Sequence, residues 1–131
     1  VAVEVVRMTG PAQERAALGA WGEQHAAEHY AARGAEVLAR NWRCREGEID
    51  LVVREPDGTL VFCEVKTRSG TGFGEPASAV DGRKARRIHR LACRWLVEQR
   101  PRGHAELRFD VVSVIGRPGV EPVLVHLEAA F

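Results

Sequence analysis

Cysteine is scarce in this 131-residue chain: Cys44, Cys63 and Cys93 are odd in number and far apart. Such a set implies neither a disulfide framework nor a zinc pattern, and a reducing cytoplasm is the expected setting. Nowhere do about 20 apolar residues run together, as a membrane span requires, so no membrane partnership is expected. Val1 to Gly10 lacks the basic segment, apolar run and cleavage site of a secretory signal. The glycine-rich stretch at 69–76 is not followed by Gly-Lys-Ser/Thr, which excludes a P-loop. Internal repeats and low-complexity linkers are missing as well.

What remains is the composition of a folded domain: 45% hydrophobic residues, 28% charged, and a formal net charge of +1. The length fits one domain with a real core. We expect an N-terminal arm over residues 1–12, strand-like or loose, and a single domain over 13–131. Residues 13–33 predict a helix ended by Gly34, with Leu18, Trp21, Ala26 and Tyr30 as its apolar stripe. Strands are predicted at 36–43, 48–54, 59–66, 104–115 and 121–127. A second helix is predicted over 77–99, facing the core with Ile88, Leu91, Ala92 and Trp95. Helix, strands, helix and strands in this order predict an α/β sandwich with a mixed sheet.

The central feature is the hairpin from Asp50 to Lys66. Its strands are apolar, yet they carry Asp50, Glu64 and Lys66. Buried charge is costly unless paired or bound to a metal. Glu64 and Lys66 share a strand face because they are two apart. Asp50 joins them only in one register. Pro56-Asp57-Gly58 reads as a three-residue loop, a type I turn followed by a left-handed glycine. That loop pairs Glu55 with Thr59 and sets Asp50 opposite Glu64. Two facing carboxylates repel, and a divalent cation such as Mg²⁺ or Mn²⁺ relieves them. Cys63 falls on the other face as core packing.

Charge elsewhere is more ambiguous. Arg83, Arg87, Arg90 and Arg94 follow i, i+4, i+7, i+11 on the second helix, with Lys84 and Arg86 beside them. No acidic residue lies between Arg83 and Val97, and a stripe of one sign attracts polyanions. Arg68, at the end of the Lys66 strand, is counted with these nucleic-acid-binding candidates. Arg40, Arg43 and Arg45 read either as phosphate contacts or as the charged guard of an edge strand. Phe73 in the glycine-rich loop reads as a loop anchor or as a stacking platform. Glu48 shares the face of Asp50 and reads either as an outer ligand of a metal there or, the favoured reading, as marking the strand entrance. His25 and His29 read as surface residues, and Asp110 as structural.

An aspartate followed on the next strand by Glu-x-Lys resembles the PD-(D/E)xK nuclease superfamily. Gly47-Glu48-Ile49-Asp50-Leu51, Phe62-Cys63-Glu64-Val65-Lys66-Thr67-Arg68, Phe73-Gly74 and Ala79-Val80 to Lys84 resemble the YraN-like family of uncharacterised bacterial proteins. Asn41-Trp42-Arg43 and the ending His126 to Phe131 agree with it. The resemblance implies a restriction-endonuclease-like three-layer α/β/α sandwich around a central mixed sheet. It implies Asp50, Glu64 and Lys66 as catalytic residues, and Glu23, from the Gly22-Glu23 pair, as a metal ligand beside Asp50 and Glu64. Glu28 is the alternative helix glutamate. The implied activity is Mg²⁺- or Mn²⁺-dependent phosphodiester hydrolysis in structured or branched DNA. The superfamily's junction resolvases add a homodimer by analogy. The alternative is a DNA-binding or adaptor module that keeps the nuclease fold without turnover.

Overall fold

The computed structural model describes residue 2 and residues 10–70, 80–103 and 106–131. Most of the expected 1–12 arm, Phe73 with its loop over 71–79, and positions 104–105 lie outside the described residues. The elements are α1 (Pro11–Ala32), β1 (Glu36–Cys44), β2 (Gly47–Arg54), β3 (Leu60–Arg68), α2 (Gly82–Gln99), β4 (Leu107–Ile115) and β5 (Val123–Leu127). One sheet of order β1-β2-β3-β4-β5 joins the strands. Its pairs are antiparallel except β3 with β4, which are parallel and connected through α2. A parallel pair needs such a crossover. The result is an α/β fold with a mixed five-stranded sheet and two helices.

The two helices pack on opposite faces. Ala26, Ala27 and Tyr30 of α1 cluster with Leu51, Val53, Val61, Cys63, Val112 and Val114. Leu91, Ala92 and Trp95 of α2 cluster with Val52, Leu60 and Phe62. Neighbours along β2 and β3 thus go to different cores, which is why both strands read as unbroken apolar runs. Each such side chain, fully buried, contributes roughly 1.5–3 kcal/mol.

Local chemistry sets the ends. Pro11 opens α1, and the Gly10 N–H donates to Gln13 Oε1 at 3.0 Å. The start of α2 differs from the expected 77. The Asp81 carboxylate accepts the Lys84 N–H at 2.9 Å, so the helix begins at Gly82. An N-cap residue is itself non-helical. Residues 77–79 of the expected start lie outside the described residues.

The hairpin turn follows its prediction. Glu55 N–H donates to Thr59 O and Gly58 N–H to Glu55 O, each at 2.9 Å, with Gly58 at φ +92°. The ladder then pairs Arg54–Leu60, Val53–Val61, Val52–Phe62 and Leu51–Cys63. The ladder ends at Leu51–Cys63; the same register carried one step further points Asp50 toward Glu64.

The histidines correct one expectation. His29 is half-buried, and its Nε2 lies 2.9 Å from His126 Nδ1. His25 is half-buried against Trp21, ring centroids 4.7 Å apart. Neither is a simple surface residue. His29 is covered by His126 of β5, whose ring meets it edge-on at 5.0 Å.

Candidate functional site

Where β2 and β3 leave their ladder, the side chains take over. The Val65 N–H donates to Asp50 Oδ2 at 2.8 Å. Asp50 is only 8% exposed. With Glu48, Glu64, Lys84 and Arg87 it lines a cavity of about 290 Å³. Burial raises the Asp50 carboxyl, to about 8, and the Glu64 carboxylate adds to the rise; the Val65 amide opposes it and Glu23 and Glu48 reinforce it. Among the described residues no lysine, arginine or histidine stands within ion-pair distance of Asp50.

Glu23 reaches this place from α1 because of its neighbour. Gly22 is buried against β3, and a Cβ there would stand 1.9 Å from Thr67 Oγ1. Only glycine lets the helix come this close. The next residue is thereby carried to the open end of the sheet. Glu23, Glu48 and Asp50 each offer an oxygen, and these atoms lie within 4.8 Å of one another. Glu28 does not take part: it is exposed and accepts from Gln24 at 2.9 Å. Glu48 stands in this carboxylate group, the position its alternative reading as an outer ligand calls for. Its side chain also pairs with Arg43 at 2.7 Å.

Two partners escaped the sequence reading. Asn41, at φ 50°, donates from Nδ2 to Glu23 Oε2 at 2.8 Å. Asparagine tolerates the left-handed region, so residue type and backbone agree. Lys84 donates from Nζ to Glu64 Oε1, in a pair whose side chains are 28% and 13% exposed. By sequence Lys84 belongs to the basic stripe of the second helix, a candidate phosphate contact. Its neighbour across the pocket gave no local signal, because twenty residues separate the two.

Lys66 shares the strand face of Glu64 but lines a separate cleft of about 400 Å³, with Arg15, Glu23 and Arg68. Glu23 is the wall common to that cleft and the carboxylate group. The arginine stripe is shorter than expected. Arg94 pairs with Glu46 at 3.1 Å and Glu98 at 3.2 Å. Arg83, Arg86, Arg87 and Arg90 make no ion pair among the described residues. Arg83, Arg86, Arg87 and Arg90 are exposed, and Arg87 reaches the Asp50 cavity. β1 is one of the sheet's two edge strands and carries Arg40 and Arg43. No helix among the described residues is long and apolar enough to cross a membrane.

The chemistry of this donor set is specific. Carboxylate oxygens alone, without sulfur or imidazole, suit hard cations such as Mg²⁺ and Mn²⁺. Among the described residues Asp50 has no cationic partner, and its carboxyl meets burial by holding its proton to higher pH.

Comparison with known proteins agrees with this arrangement of motifs. Residues 22–114 match the family described as "Uncharacterised protein family UPF0102". A UPF0102 protein of Frankia alni is 61% identical over 116 residues, covering 88% of this chain and 94% of the relative. One of Mycolicibacterium smegmatis is 55% identical over 115 residues, covering 86% and 91%. One of Acidothermus cellulolyticus is 47% identical over 134 residues, covering 95% and 100%. The chain belongs to the UPF0102 family, the YraN-like proteins whose motifs its sequence carries.

Proposed function

We propose that the protein is a metal-dependent phosphodiesterase acting on nucleic acid, with structured DNA as its substrate class. The reading includes the restriction-endonuclease-like sandwich as the fold's wider class. The observation that carries it is Asp50: a buried carboxyl with its affinity for protons raised, facing Glu64, and grouped with Glu23 and Glu48. Glu23, Glu48 and Asp50 would hold one Mg²⁺ or Mn²⁺. When bound, such an ion lowers the pKa of water and relieves charge on a phosphate.

The chain's own cations would do the rest. Arg87 stands in the cavity of Asp50 and Glu64, where it can meet a phosphate oxygen. Lys66 stands one wall away beside Glu23, with Arg15 and Arg68. It would bind the neighbouring phosphate rather than activate water at Asp50. Arg83, Arg86 and Arg90 would fix the backbone of the nucleic acid without reading its bases. This pattern favours recognition of shape over sequence.

A second reading is supported by the same geometry. Glu64 is already engaged by Lys84, and Lys66 lies in the other cleft. A DNA-binding module that keeps the site without turnover would tolerate both. One experiment separates the two. End-labelled branched, flapped and single-stranded DNA is incubated with the chain and Mg²⁺ or Mn²⁺. Metal-dependent product that disappears in Asp50→Asn supports the hydrolase. Salt-sensitive binding with no product in either metal favours the binding module. Neither binding nor product overturns both.

A further inference from the structure

Glu64 is held differently from the other site carboxylates. Glu23 has an amide partner, Asn41, and Asp50 a backbone N–H. Glu48 pairs with Arg43, whose side chain is 73% exposed and therefore well screened. Glu64 alone among these four is bonded to an ammonium in a mostly buried pair. Lys84 is also out of place by the rules of its helix. It lies in the first turn of α2, where the acid at hand is the Asp81 cap, bonded to the Lys84 backbone rather than to its ammonium. The N–H groups there form the positive end of the helix dipole, where a cation is disfavoured. The Asp81 cap fixes that turn on the Lys84 N–H, so the side chain sets out from a fixed point. Residues that break a local rule concentrate at functional sites.

We propose that Lys84 is a positioning residue, the internal counter-ion of Glu64, and that it limits the site to one divalent ion held by Glu23, Glu48 and Asp50. This rests on the metal-site reading above. Glu64 is not part of the group whose oxygens lie within 4.8 Å of one another. A second ion about 3.5–4 Å from the first would need Glu64, the carboxylate opposite Asp50. While Lys84 holds Glu64, the protein's own ammonium already neutralises the carboxylate that a second ion would need.

The test counts ions. The full chain is titrated with Mn²⁺ by calorimetry, and bound Mn²⁺ is counted independently by electron paramagnetic resonance. Wild type should take one ion per chain, and Lys84→Met two. Lys84→Arg should keep the count at one, and adding Glu64→Gln to Lys84→Met should return it to one. Lys84→Gln keeps a neutral donor for Glu64 and serves where the methionine variant does not fold. It too should take two. A count of one in both neutral variants overturns the proposal, as does a count of two in wild type. Asp50→Asn distinguishes the sources of failure. If it abolishes binding while the Lys84 variants match wild type, only the counter-ion role fails. If wild type and every variant bind nothing, the metal site itself fails and takes this proposal with it.

Discussion

Asp50 on β2 and Asp110 on β4 are both buried carboxylates of one sheet, and the fold treats them in opposite ways. Asp110 is 0% exposed. It accepts from Tyr30 Oη at 2.8 Å, from Arg108 Nε and an Arg108 terminal nitrogen at 2.8 and 2.9 Å, and from the Ala129 N–H at 3.0 Å. His126 Nε2 stands 2.7 Å away, which assigns the ring proton to that nitrogen. Burial opposes ionisation of Asp110, but the bonds from His126, Arg108, Tyr30 and Ala129 outweigh it and hold the carboxyl well below the usual range. Asp50 has one backbone N–H and three acidic neighbours, and its carboxyl is raised. A satisfied buried charge anchors architecture. An unsatisfied one is what the proposed metal site rests on.

The largest expected effect separates the two by stability. Asp110→Asn removes the charge that Arg108 and His126 surround. Breaking one member of a buried ionic network costs about 3–5 kcal/mol, so its urea midpoint should fall steeply. Asp50→Asn should leave the metal-free midpoint unchanged or raised at pH 8, because it removes a carboxylate that burial and Glu64 oppose. Equal losses in the two variants would break the comparison and make Asp50 a second structural anchor.

The next effect is a slope with pH. In the folded chain Asp50 keeps its proton at pH values where the unfolded chain has lost it. Stability from this group is complete below the unfolded value of about 3.9. It is lost as pH rises, and the loss levels off near the folded value of about 8. Asp110 acts in the opposite sense: its contribution is present above the unfolded value and is lost as pH falls below it. Subtracting the unfolding free energy of Asp50→Asn from that of wild type, pH by pH without metal, should give a difference that falls between about pH 4 and pH 8. A flat difference would show that Asp50 is not strained in the metal-free chain.

How much of this was readable beforehand follows from how local each determinant is. The hairpin register was legible because Pro56 and Gly58 fix a turn whose geometry is known from four residues. The faces of α2 were legible from the 3.6 period of Ile88, Leu91, Ala92 and Trp95. The partner of Glu64 was not, since nothing in a strand pattern says which residue of a later helix will stand over it. Lys66 shows the same limit from the other side. Two residues from Glu64 puts it on the same face, yet it lines the cleft with Glu23 rather than the cavity with Asp50. The Asp110 network joins residues from α1, β4 and β5 across 80 and 16 positions. The sequence reading named Asp110 structural without seeing the ring of donors that makes it so.

The smallest effect tests whether Glu23 belongs with Asp50. Asn41 interrupts β1 with a left-handed backbone between the paired positions Arg40–Leu51 and Trp42–Ile49. Its amide reaches Glu23 across the gap from β1 to α1. Glycine accepts that φ, so Asn41→Gly should preserve the fold, whereas Asn41→Ala adds strain as well. Loss of an outer hydrogen bond to a metal ligand lowers metal affinity by about 10–100-fold. We expect Asn41→Gly to weaken Mn²⁺ binding near the lower end, about 10-fold, in calorimetry, with little change in the urea midpoint. Unchanged affinity would place Glu23 outside the ligand set and leave Asp50 and Glu48 as its acidic core. The chemical choice at this position supports the expected result. An amide orients Glu23 and leaves its charge available, where a guanidinium would cancel it as Arg108 does for Asp110.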